Sequence, residues 1–255
     1  MEDSGKSGKR WLKAELHAHC SLDPHDYRMC AHSPEELIRE AARLGYQVLA
    51  ITCHDLDVWS RELSEYAECL GVTLIPGMEI RAGGRFHTLV YNFRTSLENL
   101  NTFEKIRARR GADTLVVAPH PYYPSWTSLG SQLEKHIDLF DAIEFSGFFT
   151  RLVDFNSHAV RIGLKHGKPL IGNSDAHVLW QLGRTFTWIL AEPGVQSVLG
   201  AIKRGKVRIE SNPLSFQEAA SWWATAVWRC FLPAHSCPTP AKVRPYVADS
   251  PGIFH

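Results

Sequence analysis

Short apolar segments alternate along the chain with longer amphipathic segments. The apolar segments are rich in β-branched residues and predict buried strands. The amphipathic segments predict helices. In the clearest one, Ser33 is the N-cap, Pro34 the first helical residue, Glu36 the end of a capping box and Gly45 the stop after Leu44. Because strands and helices alternate, we predict an α/β fold with a largely parallel sheet.

The elements can be bounded from this pattern. The predicted strands are Leu12–His17, Val48–Thr52, Val72–Ile75, Phe86–Phe93, Leu115–Ala118, Ala142–Phe145, Pro169–Gly172, Thr185–Leu190 and Val207–Glu210. The predicted helices are Pro34–Leu44, Trp59–Leu70, Leu97–Arg110, Leu129–Phe140, Val153–His166 and Gln196–Arg204. Since a glycine-containing turn precedes Phe86–Phe93, we expect this strand to form a hairpin.

The last segment, residues 211–255, departs from the alternation because prolines interrupt it repeatedly. It contains a predicted helix, Ser215–Leu232, that carries Trp222, Trp223 and Trp228. Its apolar stripe predicts a helix packed on the outside of the core. An oligomer contact and an interfacial membrane helix are the alternatives, and the scarcity of lysine and arginine on the polar face argues against the membrane.

The composition is that of a soluble globular protein, with 255 residues, 44% hydrophobic and 22% charged. A formal net charge of +1 does not indicate a broadly basic nucleic-acid-binding surface. The N-terminus has no secretory signal, and no apolar segment is long enough to cross a bilayer. Six cysteines without a CxxC pair then predict reduced thiols in a cytoplasmic protein.

Histidines and carboxylates follow the predicted strands. A single histidine at a strand end is more often a loop or core residue than a ligand, but here the pattern recurs at one strand end after another. The side chains concerned are His17, His19, His25, His54, Glu79, His87, His120, Asp175 and His177. In a parallel α/β barrel these ends meet at one rim. Imidazole and carboxylate ligands favour zinc, manganese or iron, and nine ligands suit two or three divalent ions.

These residues occur in motifs that resemble those of the PHP family (polymerase and histidinol phosphatase). The motifs are His17-Ala18-His19, Thr52-Cys53-His54-Asp55, Gly77-Met78-Glu79, His120-Pro121 and Asn173-Ser174-Asp175-Ala176-His177. The resemblance extends from about Leu12 to Glu210. Cys53 departs from the family, which usually has aspartate there, and Cys20 and Pro24 are also unusual.

The resemblance implies a distorted (β/α)7 barrel with a trinuclear metal site. The chain then divides into a flexible leader (1–11), a PHP barrel (12–210) and a C-terminal Trp-rich helix with a Pro-rich tail packed on the barrel (211–255). Carried over residue by residue, the first ion is held by His17, His19, Glu79 and Asp175. Glu79 bridges to a second ion, which His87 and His120 also hold. The third ion is held by His25, His54 and His177, with Asp26 as a substitute for His25.

The implied function is a metal-dependent phosphoesterase acting on a small metabolite or nucleotide. A water molecule between two cations gives up its proton near neutral pH and attacks phosphorus. Asp55 or His177 can protonate the leaving oxygen. Arginine binds phosphate bidentately, and the candidates are Arg81, Arg85 and Arg184. Arg184 is favoured because it follows the last metal motif closely, and it is assigned to both substrate binding and catalysis.

Four interpretations compete. The first is a phosphomonoesterase, and the second is an exonuclease or nucleotide bisphosphate phosphatase acting on a nucleotide or short oligonucleotide. Only 32 residues separate His87 from His120, which leaves little room for a helical insertion and favours a small substrate. The third is a non-catalytic accessory barrel, disfavoured because all nine positions are filled. The fourth, C–N hydrolysis, usually depends on a carboxylated lysine, and no predicted strand ends in lysine.

Aromatic residues follow His120, namely Tyr122, Tyr123 and Trp126. They can form a wall of the site for a ring of the substrate, or they can pack internally.

Overall fold

The computed structural model describes residues 8–230. Its strands are β1 (Arg10–Glu15), β2 (Val48–Ala50), β3 (Thr73–Ile75), β4 (Gly77–Ala82), β5 (Phe86–Tyr91), β6 (Leu115–Ala118), β7 (Ala142–Ser146), β8 (Leu170–Asn173), β9 (Thr185–Ala191) and β10 (Val207–Ser211). Its α-helices are α1 (Pro34–Arg43), α2 (Arg61–Cys69), α3 (Phe103–Arg109), α4 (Ser131–Lys135), α5 (Asn156–His166), α6 (Val195–Lys203) and α7 (Phe216–Cys230). The predicted leader up to residue 7 and the predicted tail from residue 231 lie outside the described residues.

The strands form two five-stranded sheets, in the orders β10-β9-β1-β2-β3 and β4-β5-β6-β7-β8. The α/β class is therefore confirmed. A closed (β/α)7 barrel is not confirmed within residues 8–230, and the sheets are mixed instead of largely parallel. The predicted hairpin accounts for part of the difference, because β4 and β5 pair antiparallel around Gly83 and Gly84, both at positive φ. Strand β9 also runs antiparallel to both of its neighbours, β1 and β10.

The segments that follow β1 and β2, two interior strands of the first sheet, approach the edge strands β8 and β4 of the second sheet where the predicted metal ligands lie. Isolated parallel bridges join Ala18 to Ala176 and His54 to Glu79. Backbone hydrogen bonds support both contacts, with the N–H of His19 donating to the carbonyl of Ala176 at 2.9 Å and that of Asp55 to the carbonyl of Glu79 at 2.8 Å. Ligands from different sheets are thus brought to one place by backbone pairing.

The core lies between the sheets and under the helices. Apolar side chains from both sheets meet in the interior, among them Leu12, Leu16, Leu89 and Ile171. Helices α1 and α2 pack on the first sheet, and α3, α4 and α5 pack on the second. This burial provides most of the stabilisation, since it removes apolar surface from water. Within residues 8–230, none of the helices has the length and apolar character that crossing a bilayer requires.

Local sequence signals set the helix ends to different degrees. The capping box between Ser33 and Glu36 is confirmed at the start of α1. Helix α4 is much shorter than the predicted Leu129–Phe140, because Gly130 at φ 52° precedes it and His136 at φ −118° ends it. Both residues lie outside helical geometry, so the helix is confined to Ser131–Lys135 although the amphipathic sequence pattern extends beyond it.

One buried side chain connects the two sheets directly. The Tyr91 hydroxyl on β5 donates a hydrogen bond to the carbonyl of Leu16 at 2.6 Å, immediately before the predicted ligand His17. Gly77 makes room for the ring, since a Cβ there would lie 2.7 Å from Tyr91 Cδ1. Tyr91 therefore holds the end of the first strand segment in position from the opposite sheet.

We expect Tyr91→Phe to lower the free energy of unfolding by about 1–3 kcal/mol, because the buried Leu16 carbonyl would lose this donor. Urea denaturation followed by circular dichroism measures the change. The control is Tyr66→Phe, whose hydroxyl accepts a hydrogen bond from the exposed Arg39. Equal losses in the two variants would contradict a special role for the buried hydroxyl.

Candidate metal centre

Glu79 on β4 is the carboxylate around which the site is arranged. Its side chain is 1% exposed. Its Oε2 atom lies 3.2 Å from His17 Nε2, 3.4 Å from His19 Nε2 and 3.1 Å from His54 Nε2. Three imidazoles from two different strand ends therefore face one oxygen.

The other oxygen of Glu79 faces a second group of imidazoles. Its Oε1 atom lies 2.7 Å from His87 Nδ1 on β5 and 3.3 Å from His120 Nε2 after β6. The carboxylate thus stands between two sets of histidines. This is the placement expected of a carboxylate that bridges two cations.

Asp175, just after β8, joins the first set. Its Oδ1 atom lies 3.3 Å from His17 Nε2 and 3.2 Å from His19 Nε2. Its other oxygen lies 4.0 Å from His120 Nε2. The four residues predicted for the first ion, including Glu79, are therefore brought together.

The residues predicted for the third ion lie in a different arrangement. His177 Nε2 lies 3.0 Å from Asp26 Oδ2, which is itself 3.7 Å from His54 Nδ1. His25 is 38% exposed in its side chain, and its Nε2 lies 3.3 Å from Asp55 Oδ2. The structure thus brings Asp26, the expected substitute, next to His54 and His177, and it places His25 beside Asp55.

Asp23 is a site residue that the motifs did not indicate. Its Oδ2 lies 2.8 Å from His19 Nδ1 and 3.0 Å from His54 Nδ1, and it also accepts the backbone N–H of His54 at 2.8 Å. A carboxylate only accepts, so each ring presents an Nδ1–H to it and turns Nε2 toward Glu79. Asp23 thereby sets the orientation of two ligands.

Glu144 on β7 does the same for the other side of the site. Its Oε1 lies 2.9 Å from His17 Nδ1 and accepts from Asn173 Nδ2 at 2.9 Å. Its Oε2 accepts the backbone N–H of His120 at 2.7 Å. The signal for Glu144 is a carboxylate inside an apolar strand, and Glu15 in β1 carries the same signal. Both side chains are fully buried.

The backbone is strained at three site residues. Asp55, His120 and Asp175 have φ of 54°, 24° and 50°, in the region that favours glycine. Such strain persists only where the surroundings hold it, and it is concentrated at functional sites. At His120 the hydrogen bond from its N–H to Glu144 supplies this restraint.

The three candidate arginines are engaged elsewhere. Arg81 contacts Asp55, with its Nη2 atom 2.6 Å from Oδ2. Arg85 donates to the carbonyl of Trp126 at 2.6 Å and stacks over its ring. Arg184 forms an ion pair with Glu218 on α7.

The cluster opens into a cavity of about 320 Å³. Its lining combines the ligands with hydroxyl, amide and aromatic side chains. The lining residues are Asp26, Met29, His54, Glu79, His87, His120, Tyr123, Ser125, Thr127, Ser146, Phe148, Ser174, Asp175, His177, Gln181 and Trp222. Across the described part of this lining there is no lysine or arginine. Positive charge for a bound anion therefore has to come from the histidines or from metal ions that they hold.

The protonation of the histidines reflects the surrounding carboxylates. Burial alone would lower the pKa of His19, but Asp175 and Asp23 outweigh it and raise this pKa to about 10. Against the same opposition from burial, Asp175 and Glu144 raise the pKa of His17 well above its ordinary range. Without metal, protons on the imidazoles thus balance the buried carboxylates. A divalent cation would supply that positive charge instead.

Several buried atoms fit a metal ion better than they fit one another. Glu79 Oε1 and His87 Nδ1 are 2.7 Å apart, yet neither makes a hydrogen bond of acceptable geometry to the described residues, and the same holds for Asp175 Oδ1. Buried polar atoms are normally partnered. In each of four groups of three residues, the potential ligand atoms lie within 4.8 Å of one another. The groups are His17–Glu79–His120, His17–His19–Asp175, His19–Asp23–His54 and His54–Glu79–His87. The residues therefore fit a divalent metal centre.

Comparison with known proteins supports the family resemblance. Residues 154–207, which include Asp175 and His177, match the family model described as PHP-associated. The resemblance to the PHP family is confirmed. A solved structure with the same fold is a protein assigned as a metal-dependent phosphoesterase from Bifidobacterium adolescentis. It is 18% identical, covers 65% of this chain and 87% of its own, and superposes with a TM-score of 0.52. At that identity it supports the PHP fold alone.

Two sequence relatives extend the comparison. An uncharacterized protein of Methanocaldococcus jannaschii, MJ1587, is 28% identical over 131 residues, which are 48% of this chain and 75% of the relative. An error-prone DNA polymerase of Mycobacterium tuberculosis is 40% identical over 75 residues, which are 29% of this chain and 7% of the polymerase. The polymerase match is thus confined to a small part of a much longer protein.

We expect Asp23→Asn to weaken metal binding by roughly 10–100-fold, the usual effect of losing a carboxylate behind ligand histidines. The asparagine amide can donate to Nδ1, so His19 and His54 would no longer be held with Nε2 facing Glu79. Isothermal titration of metal-depleted protein with manganese or zinc measures the affinity. The matched control is Asp57→Asn, which changes a carboxylate that does not line this cavity. A normal affinity in Asp23→Asn would contradict the assigned role.

The metal-depleted protein should lose stability as the pH rises from 6.5, the ordinary histidine value, to about 10, the pKa of His19. A raised pKa in the folded state stabilises fully below the ordinary value, and this contribution disappears as the proton leaves. Over the same range metal affinity should rise, because the imidazoles must be neutral to bind. Urea denaturation with chelator present tests the first effect, and His19→Asn should flatten the profile. Constant stability across this range in the unmodified protein would contradict it.

Proposed function

We propose that this protein is a metal-dependent phosphoesterase that hydrolyses a phosphate monoester of a small metabolite or nucleotide. The observation that carries the proposal is the buried Glu79 carboxylate, faced by histidines on both oxygens and open to a small cavity. Such clusters of imidazoles and carboxylates suit divalent transition metals. Bound ions would lower the pKa of water and offset charge on a phosphoryl group.

His17, His19, Glu79 and Asp175 would hold one metal ion. His87 and His120 would hold a second, which Glu79 would share. Asp26, His54 and His177 are the groups we assign to a further ion. Asp26 is preferred to His25 here, because it lies within contact of both histidines.

The protein's own polar groups would bind and orient the phosphoryl group. Burial, with Asp175 nearby, raises the pKa of Tyr123 to about 12, so its hydroxyl stays protonated near neutral pH and can donate a hydrogen bond. Ser125, Thr127 and Ser174 line the same cavity. These neutral donors take the place that the sequence assigned to arginine.

Neither predicted candidate is assigned to protonation of the leaving oxygen. A ring nitrogen of His177 that holds the further ion cannot also release a proton, and Asp55 is not among the lining residues and is held by Arg81. Asp26 Oδ2 lies 3.0 Å from His177 Nε2, within reach of the same ion.

The dimensions of the site support a small substrate. A cavity of about 320 Å³ is at the lower end for small-molecule sites. The absence of lysine and arginine from its described lining favours one phosphate over several. The connection between β5 and β6 contains only α3 and one short 3₁₀ turn, so it supplies no helical subdomain for an oligonucleotide.

The proposal is tested by assaying the purified, manganese- or zinc-loaded protein against phosphomonoesters, phosphodiesters and short oligonucleotides. We expect monoesters to be turned over fastest. His54→Ala and Asp175→Ala should each lower kcat/KM by at least 100-fold, a loss of about 2.7 kcal/mol of transition-state stabilisation. Both variants remove a side chain that faces the metal cluster.

The control for this assay is His166→Ala. His166, at the end of α5, pairs with Glu134 on α4. It should keep full activity. Full activity in His54→Ala and Asp175→Ala would overturn the proposal. Preferential cleavage of oligonucleotides would favour the exonuclease alternative, and a pure protein that binds metal without turning over any ester would favour the accessory-barrel alternative.

A further inference from the structure

A row of aromatic rings leads away from the metal ligands along one side of the cavity. The ring of His120 lies 6.4 Å from that of Tyr123, which lies 5.8 Å from Phe148. Phe148 in turn lies 4.7 Å from Trp222 on α7. The last three side chains line the cavity, so its wall changes from ligands to aromatic surface within a short distance.

Trp222 is held in this row by contacts at the start of α7. Glu218 and Ser215 form a reciprocal cap, with Ser215 N donating to Oε2 at 2.8 Å and Glu218 N to Ser215 Oγ at 3.2 Å. Arg184 pairs with Glu218 as well. The helix that follows the strands is therefore fixed to them by charged and capping contacts.

The segment before α7 is also tied to the loop that carries Phe148. Leu214 N donates to the Phe149 carbonyl at 2.8 Å, and Leu214 forms a backbone bridge with Thr150. The Leu214 side chain is buried. Phe148 and Trp222 thus come from two segments that are hydrogen-bonded to each other, and this pairing supports the contact between their rings.

The lining of the cavity combines two kinds of surface. One part consists of carboxylates and imidazoles, and the other consists of the rings of Phe148 and Trp222, which follow His120 and Tyr123 in the row. A phosphate ester that fills the cavity would place its phosphoryl group at the first part and its organic group at the second. Flat rings gain most from such a surface, because aromatic side chains stack in offset or edge-to-face arrangements.

We propose that Trp222 on α7 is a specificity-determining residue, and that the organic group of the substrate is a flat aromatic or heteroaromatic ring seated against Trp222 and Phe148. This inference rests on the proposed phosphoesterase function and adds the class of leaving group. It also assigns a role to α7, which lies outside the segment 154–207 that matches the PHP-associated model.

The test uses two phosphonates that cannot be hydrolysed, phenylphosphonate and methylphosphonate, titrated into the manganese-loaded full-length protein. Isothermal titration should show about tenfold tighter binding of the phenyl compound, in line with the usual effect of ring stacking on an aromatic side chain. Trp222→Ala should abolish that ratio, and Trp222→Phe should keep most of it. Phe148→Leu should lower the ratio as well, so the test does not depend on one variant folding.

The control is Trp180→Ala, which removes a partly exposed tryptophan that does not line the cavity. It should leave the ratio unchanged. An unchanged ratio in folded Trp222→Ala and Phe148→Leu would overturn the inference, as would equal binding of both phosphonates to the unmodified protein.

Matching turnover assays with phenyl phosphate and methyl phosphate separate this inference from the proposed function. Hydrolysis of both esters without a preference would overturn the inference and leave the phosphoesterase function intact. Ring-selective phosphonate binding without hydrolysis of any ester would support the inference and overturn the function. If neither phosphonate binds and neither ester is hydrolysed, both are overturned.

Discussion

The structure depends on one buried negative charge, the Glu79 carboxylate, and on the groups that make its burial tolerable. Removing an ionised carboxylate from water costs several kcal/mol unless opposite charge and hydrogen bonds compensate. Here histidines from both sheets face its two oxygens, so the compensation is available only when the sheets meet correctly. The bridge between His54 and Glu79 shows that backbone pairing and ligand placement are one arrangement. The same constraint explains the unpartnered Glu79 Oε1 atom and its fit to a cation.

A second layer of carboxylates makes the ligand geometry specific. Asp23 and Glu144 accept hydrogen bonds from the Nδ1 atoms of three predicted ligand histidines. The Nε2 atom of each ring is therefore directed toward the centre of the site. The strained backbone at His120 is held by the hydrogen bond from its N–H to Glu144. Two of the three motif departures also meet, since Cys20 and Cys53 are buried with their sulfur atoms 3.4 Å apart, next in sequence to the predicted ligands His19 and His54. An apolar thiol pair therefore fills the space behind two ligands, where a charged aspartate would need a partner.

The distribution of charge separates the site from the surface. The candidate arginines stabilise loops and α7, whereas the cavity is lined in its described part by neutral donors, carboxylates and histidines. An anionic substrate would accordingly be neutralised by metal ions and oriented by hydroxyl groups. Helix α7 then completes the cavity with Trp222, so a segment that looked like outer packing from its amphipathic stripe also contributes to the wall of the site.

Much of this protein could be predicted from local patterns, because those patterns reflect short-range physics. The α/β class, the Ser33 cap and the hairpin follow from periodicity and turn residues. The motifs predicted that His17, His19, Glu79 and Asp175 lie together in one site. The sheet arrangement could not be predicted, because strand direction and edge pairing depend on contacts distant in sequence, such as that of Tyr91 with Leu16. Asp23, Glu144 and Trp222 were missed as site residues for the same reason. A buried carboxylate or an amphipathic tryptophan has no evident partner until tertiary packing brings one within hydrogen-bond or van der Waals distance. The sequence alone therefore determined which chemistry this chain carries, and the tertiary structure decided which side chains orient it and which surface the substrate meets.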